Sequence, residues 1–340
     1  MPTNDNIKNI SQELLNKCRK LIGKKFDKNR INEIEGSDNF IKALIDGKNF
    51  NIFYDMIEEK YSKKLFKKIV RYRYILAFYP NSFIDNKRKI NLSIKYGAIN
   101  IFHWGLKRIL FYFQKSKYLN EIEGFLLFYT FGLKQYDVKN IFEAKDNATI
   151  FDIGAWKGDT AYFFSKKCSD NAQIYAFEPD NYAYEILEKV KNKYKLNNVI
   201  TKNILFSNAE KEIDFVSMIK NTPAAKKNAI TIDKFVEENN IEKIDFIKMD
   251  VEGAERTILE GGVKTIKKFK PHLAIAIYHG GKLFMEDFYD VPIFIKNIIN
   301  EDYEYYIRTF SPWCGETILF CKPKNFIYPT KLINSPILSI

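Results

Sequence analysis

Asp152, Gly154 and Gly158 fall within TIFDIGAWKGDT, Thr149 to Thr160, and Glu178 follows about twenty positions later. Two glycines at this spacing let the backbone take unusual dihedrals and let a ligand approach without a Cβ in the way. A helix opening just behind the turn aims free N–H groups into the same space. A carboxylate ending the next strand is placed to hold ribose hydroxyls. The pattern is D-x-G-x-x-x-G and lacks the middle glycine of a dinucleotide site. An acid there would repel a pyrophosphate but can hold a cation, such as the amino group of S-adenosyl-L-methionine. An NAD-type oxidoreductase is therefore the alternative rather than the first expectation.

A second group of residues could handle a proton. Asp250, in KMDVEGAE, ends one expected strand, and His279, in YHGG, ends another, so both should face one crevice. Methyl transfer from a sulfonium needs an aligned hydroxyl and a group to take its proton. Imidazole titrates near physiological pH, so His279 is the expected base, with Asp250 beside it. Glu252 and Gly253 shape the turn, and Glu255 suits the first turn of the next helix. Asp250, Glu252 and His279 are also donors of the kind a metal ion takes, although no metal is assigned.

Such groups need a sheet to carry them. From Asn140 onward, short β-rich runs alternate with helical stretches: Thr149 to Ile153, Gln173 to Phe177, Val199 to Asn203, Phe246 to Met249 and Leu273 to Tyr278. Helices are expected at Thr160 to Cys168, Tyr182 to Tyr194, Ile232 to Glu238 and Glu255 to Gly261, with an extra short strand at Glu212 to Val216. Tyr303 to Phe310 and Glu316 to Cys321 read as an antiparallel pair around SPWCG. This alternation predicts an α/β fold: a mostly parallel, doubly wound Rossmann-like sheet with its ligand at the strands' carboxyl ends. From His279 to Val291-Pro292 the spacer reads as a loop that touches substrate.

DIGAWKGDT, FEPD at Phe177 to Asp180 and KMDVEGAE resemble the FkbM family of methyltransferases, over roughly residues 125–322. The resemblance implies a class I, S-adenosyl-L-methionine-dependent O-methyltransferase acting on a hydroxyl of a sugar, glycan precursor or related small molecule. It implies a cofactor set of Asp152, Gly154, Ala155, Trp156, Gly158, Asp159, Thr160, Glu178, Pro179 and Asp250, with Asn203 a neighbour on the adenine side by topology. It supports His279 as catalytic, because a YH pair commonly ends this strand in one branch. Trp156 stands where the family usually has Asn, which keeps a catalytically inactive cofactor-binding scaffold as a further alternative.

Charge divides the chain. Residues 1–140 hold 27 Lys and Arg against 14 Asp and Glu, a net of +13, whereas the whole chain carries +12. A basic, mainly helical domain is expected at 1–138, the methyltransferase domain at 139–325 and a tail at 326–340. Helices are expected at Ile10 to Leu21, Asn39 to Leu44, Phe50 to Ile57, Glu59 to Tyr79, Ile101 to Phe113 and Glu121 to Phe131. In the fourth, Tyr61, Leu65, Ile69, Tyr72 and Leu76 make an apolar stripe opposite Lys60, Lys63, Lys64, Lys67, Lys68 and Arg71. That face could dock something anionic, including an anionic acceptor or a membrane surface, and no nucleic-acid module accompanies it. His103 reads as a packed core residue. Four cysteines without a C-x-x-C pair, no span-length apolar run and the polar opening MPTNDNIKNI point to the cytoplasm.

Overall fold

A computed structural model describes residues 9–22, 37–77, 95, 97, 99–114, 120–217, 219, 222–279, 286–299 and 302–324. The expected tail at 326–340 and the loop residues 280–285 lie outside these. The N-terminal part forms α1 (Ile10–Ile22), α2 (Ser37–Asp46), α3 (Lys48–Met56), α4 (Lys60–Ala77), α5 (Ile101–Gln114) and α6 (Gly124–Leu127), which continues into a π-helical turn, Phe128–Gly132. Then come β1 (Thr149–Ile153), α7 (Asp159–Lys167), β2 (Gln173–Phe177), α8 (Asn181–Lys193), β3 (Val199–Lys202), β4 (Leu205–Phe206), β5 (Lys211–Phe215) and β6 (Ala225–Ile230). The chain continues through α9 (Ile232–Glu238), β7 (Phe246–Met249), α10 (Glu255–Glu260), α11 (Val263–Phe269), β8 (His272–Ala276), α12 (Asp287–Ile299), β9 (Tyr303–Thr309) and β10 (Thr317–Pro323).

Seven strands form the main sheet in the order β3-β2-β1-β7-β8-β10-β9, and β4, β6 and β5 form a small separate sheet. β1 pairs in parallel with β2 on one side and β7 on the other, so the topological switch point lies at β1. β10 runs antiparallel to both β8 and β9, the expected closing pair. β1 and β8 are buried along their whole length, as strands covered on both faces must be.

Two hydrophobic layers sandwich the sheet. One joins α5, α6, α7 and α8 through Trp104, Phe128, Phe164 and Leu187. The other joins α9 to α12 and, in the same continuous cluster, α1 to α4. The expected boundary at 138/139 therefore does not divide the core. Phe50, Phe53 and Phe66 pack their rings against Phe288 of α12. Glu59 grips Arg308 with both oxygens, at 2.7 and 2.9 Å. Ser62 bonds the backbone of Ile307, and Ile57 bridges to Tyr305, so the helices cover the edge strand β9.

Several expectations need correcting. In α4, Leu65, Ile69, Tyr72 and Leu76 are buried, but Tyr61 is exposed, because burial there follows Phe66 and Val70 instead. His103 is exposed while its neighbour Trp104 is buried. His279 lies three residues past the end of β8. The stretch from Asp287 to Pro292 is the start of α12, with Pro292 inside the helix, rather than loop.

Candidate functional site

The turn after β1 is shaped by what crosses it. Gly154 has φ +80°, and a Cβ there would meet the Asp250 carbonyl oxygen at 2.0 Å, so the β7 loop passes where only glycine fits. The N–H groups of Gly154 and Ala155 both donate to the Phe177 carbonyl, tying the turn to the end of β2. Trp156 has φ +46°, a left-handed conformation that Asn tolerates well and a bulky residue poorly. The position thus explains the amide usual in the resembling family. Gly158, φ +94°, caps α7.

Glu178 closes this side. It is 5% exposed; one carboxylate oxygen accepts from Trp156 N–H and the other from Asp180 N–H, each at 2.8 Å. Burial nevertheless lifts its carboxyl to about 7. Pro179 is half-buried beside it. Asn203 donates to the Glu178 carbonyl at 2.9 Å, so it braces this strand end from behind.

Three acids or hydroxyls of the expected cofactor set turn inward instead. Asp152 is fully buried; Thr160 donates to one oxygen at 2.6 Å and Lys248 Nζ lies 3.0 Å from the other. Asp152 therefore anchors the turn from below and cannot present its charge to a ligand above it. Asp159 accepts from the Thr130 hydroxyl, and burial lifts its carboxyl to about 6. Lys248 also donates to the Gly154 carbonyl at 2.6 Å. Burial works against its ammonium, but Asp152, Asp250 and Asp159 hold the charge and raise its pKa. A lysine in the apolar strand FIKM was the available signal for this bolt.

Across the crevice stands a second cluster. Asp250 accepts from Tyr136 at 3.0 Å and from Tyr278 at 3.1 Å. Glu255 is fully buried, accepts the N–H groups of Val251 and Gly253, and contacts His279 Nδ1 at 2.6 Å. Its role is to fold the DVEG turn, where Glu252 and Gly253 both have positive φ. His279 Nε2 lies 3.4 Å from Glu252 and 3.7 Å from Asp250. Burial alone would deprotonate His279; the bond to Glu255 and the charges of Glu255, Asp250 and Glu252 outweigh it and push its pKa up to about 10. An imidazole accepting a proton near neutral pH was expected at His279; these neighbours favour its protonated form. Glu316, bonded by Gln135 at 3.1 Å, is pushed up to about 8 by burial and by Asp250. Tyr136, Gln135 and Glu316 were not expected, since their long sequence separation from Asp250 leaves no local pattern; Tyr278 was noted only as the neighbour of His279.

Donor atoms of Asp250, Glu255 and His279 all lie within 4.8 Å of one another, a spacing that suits a metal ion. The expected partner Glu252 lies outside that trio, with its side chain 57% exposed.

A seven-stranded sheet with this strand order, a glycine turn at its switch point and a strand-two carboxylate define the class I methyltransferase fold. Residues 152–305 match the methyltransferase FkbM domain. The chain is similar in fold to the crystal structure of methyltransferase FkbM from Methylobacillus flagellatus KT, at 17% identity and a TM-score of 0.54, over 83% of this chain. It spans 60% of that protein's length. Weaker likenesses include fibrillarin from Aeropyrum pernix, with natively bound S-adenosyl-L-methionine (16% identity, TM-score 0.36, 56% of this chain and 74% of that one). Another is a SAM-dependent methyltransferase from Aquifex aeolicus (15%, 0.32, 56% and 85%). No curated protein matches the chain.

Proposed function

We propose that the protein is an S-adenosyl-L-methionine-dependent O-methyltransferase whose acceptor is a hydroxyl of a sugar or glycan precursor, working in the cytoplasm. The observation that carries this reading is the meeting of two halves at one sheet edge. Gly154 to Gly158 with Glu178 stand on one side, and Asp250 with His279 on the other. The donor set fits the cofactor: after its two backbone bonds, each Glu178 oxygen keeps a lone pair for a vicinal diol. Gly154, Ala155, Trp156 and Gly158 would border the cofactor, with Pro179 near its adenosine. When bound, it supplies a methyl group already activated on a sulfonium.

The chain's own tasks are then alignment and proton removal. Asp250, oriented by two tyrosine hydroxyls, is the group placed to take the acceptor's proton. His279 holds Asp250 and Glu252 in position as a cation. Side chains of Gln135, Glu252 and Glu316 add a hydrogen-bonding wall of the kind a polyol requires. A second reading is favoured by the Asp250, Glu255 and His279 trio: a divalent cation there would replace the His279 proton and bind the acceptor oxygen.

Methyl transfer from labelled cofactor to nucleotide-linked or free sugars, run with and without chelator, tests both. Transfer that survives chelation supports the proton reading, and loss restored by Mg²⁺ or Mn²⁺ supports the metal one. Cofactor binding without transfer to any hydroxyl acceptor would instead leave an inactive scaffold.

A further inference from the structure

The crevice above β7 and β8 is walled by acids from two separate parts of the chain. Asp250 and Glu252 follow directly on β7. Glu316 stands just before β10, whose antiparallel register sets Ile318 opposite Ala276 and carries on through the Ile277 N–H bond to the Thr317 carbonyl. Glu316 is thereby brought beside Tyr278, the residue whose hydroxyl donates to Asp250. Asp250 and Glu252 lie close enough to Glu316 for their charges to act on it. Glu316 is half-buried with one oxygen taken by Gln135, and the Glu252 side chain is mostly exposed. Behind this wall Glu255 and Asp287 are buried.

The nearby cations among the described residues are engaged elsewhere. Lys248 is held below by Asp152 and the Gly154 carbonyl, and Arg256 by Glu260 and Asp290. His279 gives Nδ1 to Glu255. Two buried atoms then show polar capacity that these residues leave unfilled. His279 Nε2 makes no hydrogen bond, on a side chain 9% exposed, and it faces Glu252 and Asp250 from 3.4 and 3.7 Å. Asp287, 6% exposed, keeps one carboxylate oxygen without a partner, within reach of the charges of Glu255 and His279. Buried polar atoms left unpaired are costly, so a site that keeps two of them calls for a ligand.

We propose that the acceptor carries a protonated amine, as an amino sugar does, held by Glu252 and Glu316 while its hydroxyl lies at Asp250. This rests on the methyl-transfer reading above and narrows its acceptor. An ammonium group brings a positive charge and three N–H donors to carboxylates that have oxygens to spare. Charge-assisted bonds of this kind are stronger than those between neutral groups. A neutral polyol would bond to the same oxygens and leave their charge unanswered. A phosphorylated or uronic acceptor would set like charge against them. The basic N-terminal half therefore says nothing about the acceptor, because the wall that meets it is acidic.

The test is calorimetry on the full chain loaded with S-adenosyl-L-homocysteine, in chelator, so that neither a sulfonium nor a metal supplies the cation. D-glucosamine should bind about tenfold or more tighter than N-acetyl-D-glucosamine, since each bond to a charged group is lost with the ligand's charge. D-glucuronate should bind most weakly. Glu252→Gln with Glu316→Gln keeps the shape of the wall and removes two charges. It should abolish most of the preference for glucosamine while affinity for S-adenosyl-L-homocysteine holds. Equal binding of the two glucosamines by wild type, no binding of glucosamine, tighter binding of glucuronate, or a preference that survives the double variant would overturn the proposal. Methyl transfer from labelled cofactor to the same sugars is read separately. Transfer to none of them with the amine preference intact would support the cation site and count against the methyl-transfer reading.

Discussion

At the scale of single residues, the site is governed by how burial and neighbouring charge set protonation. Glu178 has a folded pKa of about 7 against an ordinary 4.5, so below neutrality its carboxyl is increasingly protonated. A ligand diol donates best to the carboxylate. Cofactor affinity should therefore weaken as pH falls below about 7, with proton release on binding near pH 6. Glu178→Ala should lose at least about tenfold in affinity while staying folded, since bonds to a charged group contribute about 1.5–3 kcal/mol each. Calorimetry that finds the affinity unchanged by pH and by the mutation would remove Glu178 from the site. His279 works in the opposite sense. Its pKa is raised from 6.5 to about 10, so the stability it contributes is complete below 6.5 and is lost as pH rises toward 10. Thermal melts should show wild type losing more stability than His279→Gln over that window. His279→Ala should lower turnover by roughly 10² or more, because the cation shared by three carboxylates is gone. At saturating cofactor, wild-type turnover should not drop as pH falls through 6.5; a drop there would restore imidazole as the base. The sequence showed that Asp250 and His279 lie together, with Glu178 at the end of β2, because strand ends place them. It could not show that Asp152 faces down to Lys248, since a strand residue's side is decided by what lies beneath it.

Among elements, β1, its turn and α7 behave as one unit held by the Lys248–Asp152 pair. Both partners are almost wholly buried, at 3% and 0% side-chain exposure, so removing one strands the other's charge. Lys248→Met should cost about 3–5 kcal/mol in urea unfolding, and Lys248→Met with Asp152→Asn should recover much of it. A cost below about 1 kcal/mol would mean that water reaches the pair. The strand–helix alternation was legible because buried parallel strands read as short apolar runs. β6, AKKNAI, was not: it is largely exposed and belongs to a small side sheet, so it lacks that signature. α12 was hidden by Pro292, which ordinarily argues against a helix interior.

Over the whole molecule, the charge division was legible by counting, but the shared core was not. The apolar faces of α1 to α4 show that they pack on something. Only the fold shows that this is α12 and the edge strand β9, not a core of their own. Loss of these helices leaves the β9 edge and Phe288 uncovered.

That contact joins opposite ends of the message. Ser62 meets Ile307 across 245 positions, so α4 leaves the ribosome long before its partner exists. At roughly 5–20 residues per second the wait is on the order of 12–50 s, during which Phe50, Phe53 and Phe66 have one another but not Phe288. Synthesis therefore imposes an order: the first helices reach their final packing only when the last strands arrive. Ribosome-stalled chains ending before residue 286 should be cut by protease within α3 and α4, and full-length chains should resist. Equal resistance in both would mean that the helices fold without waiting.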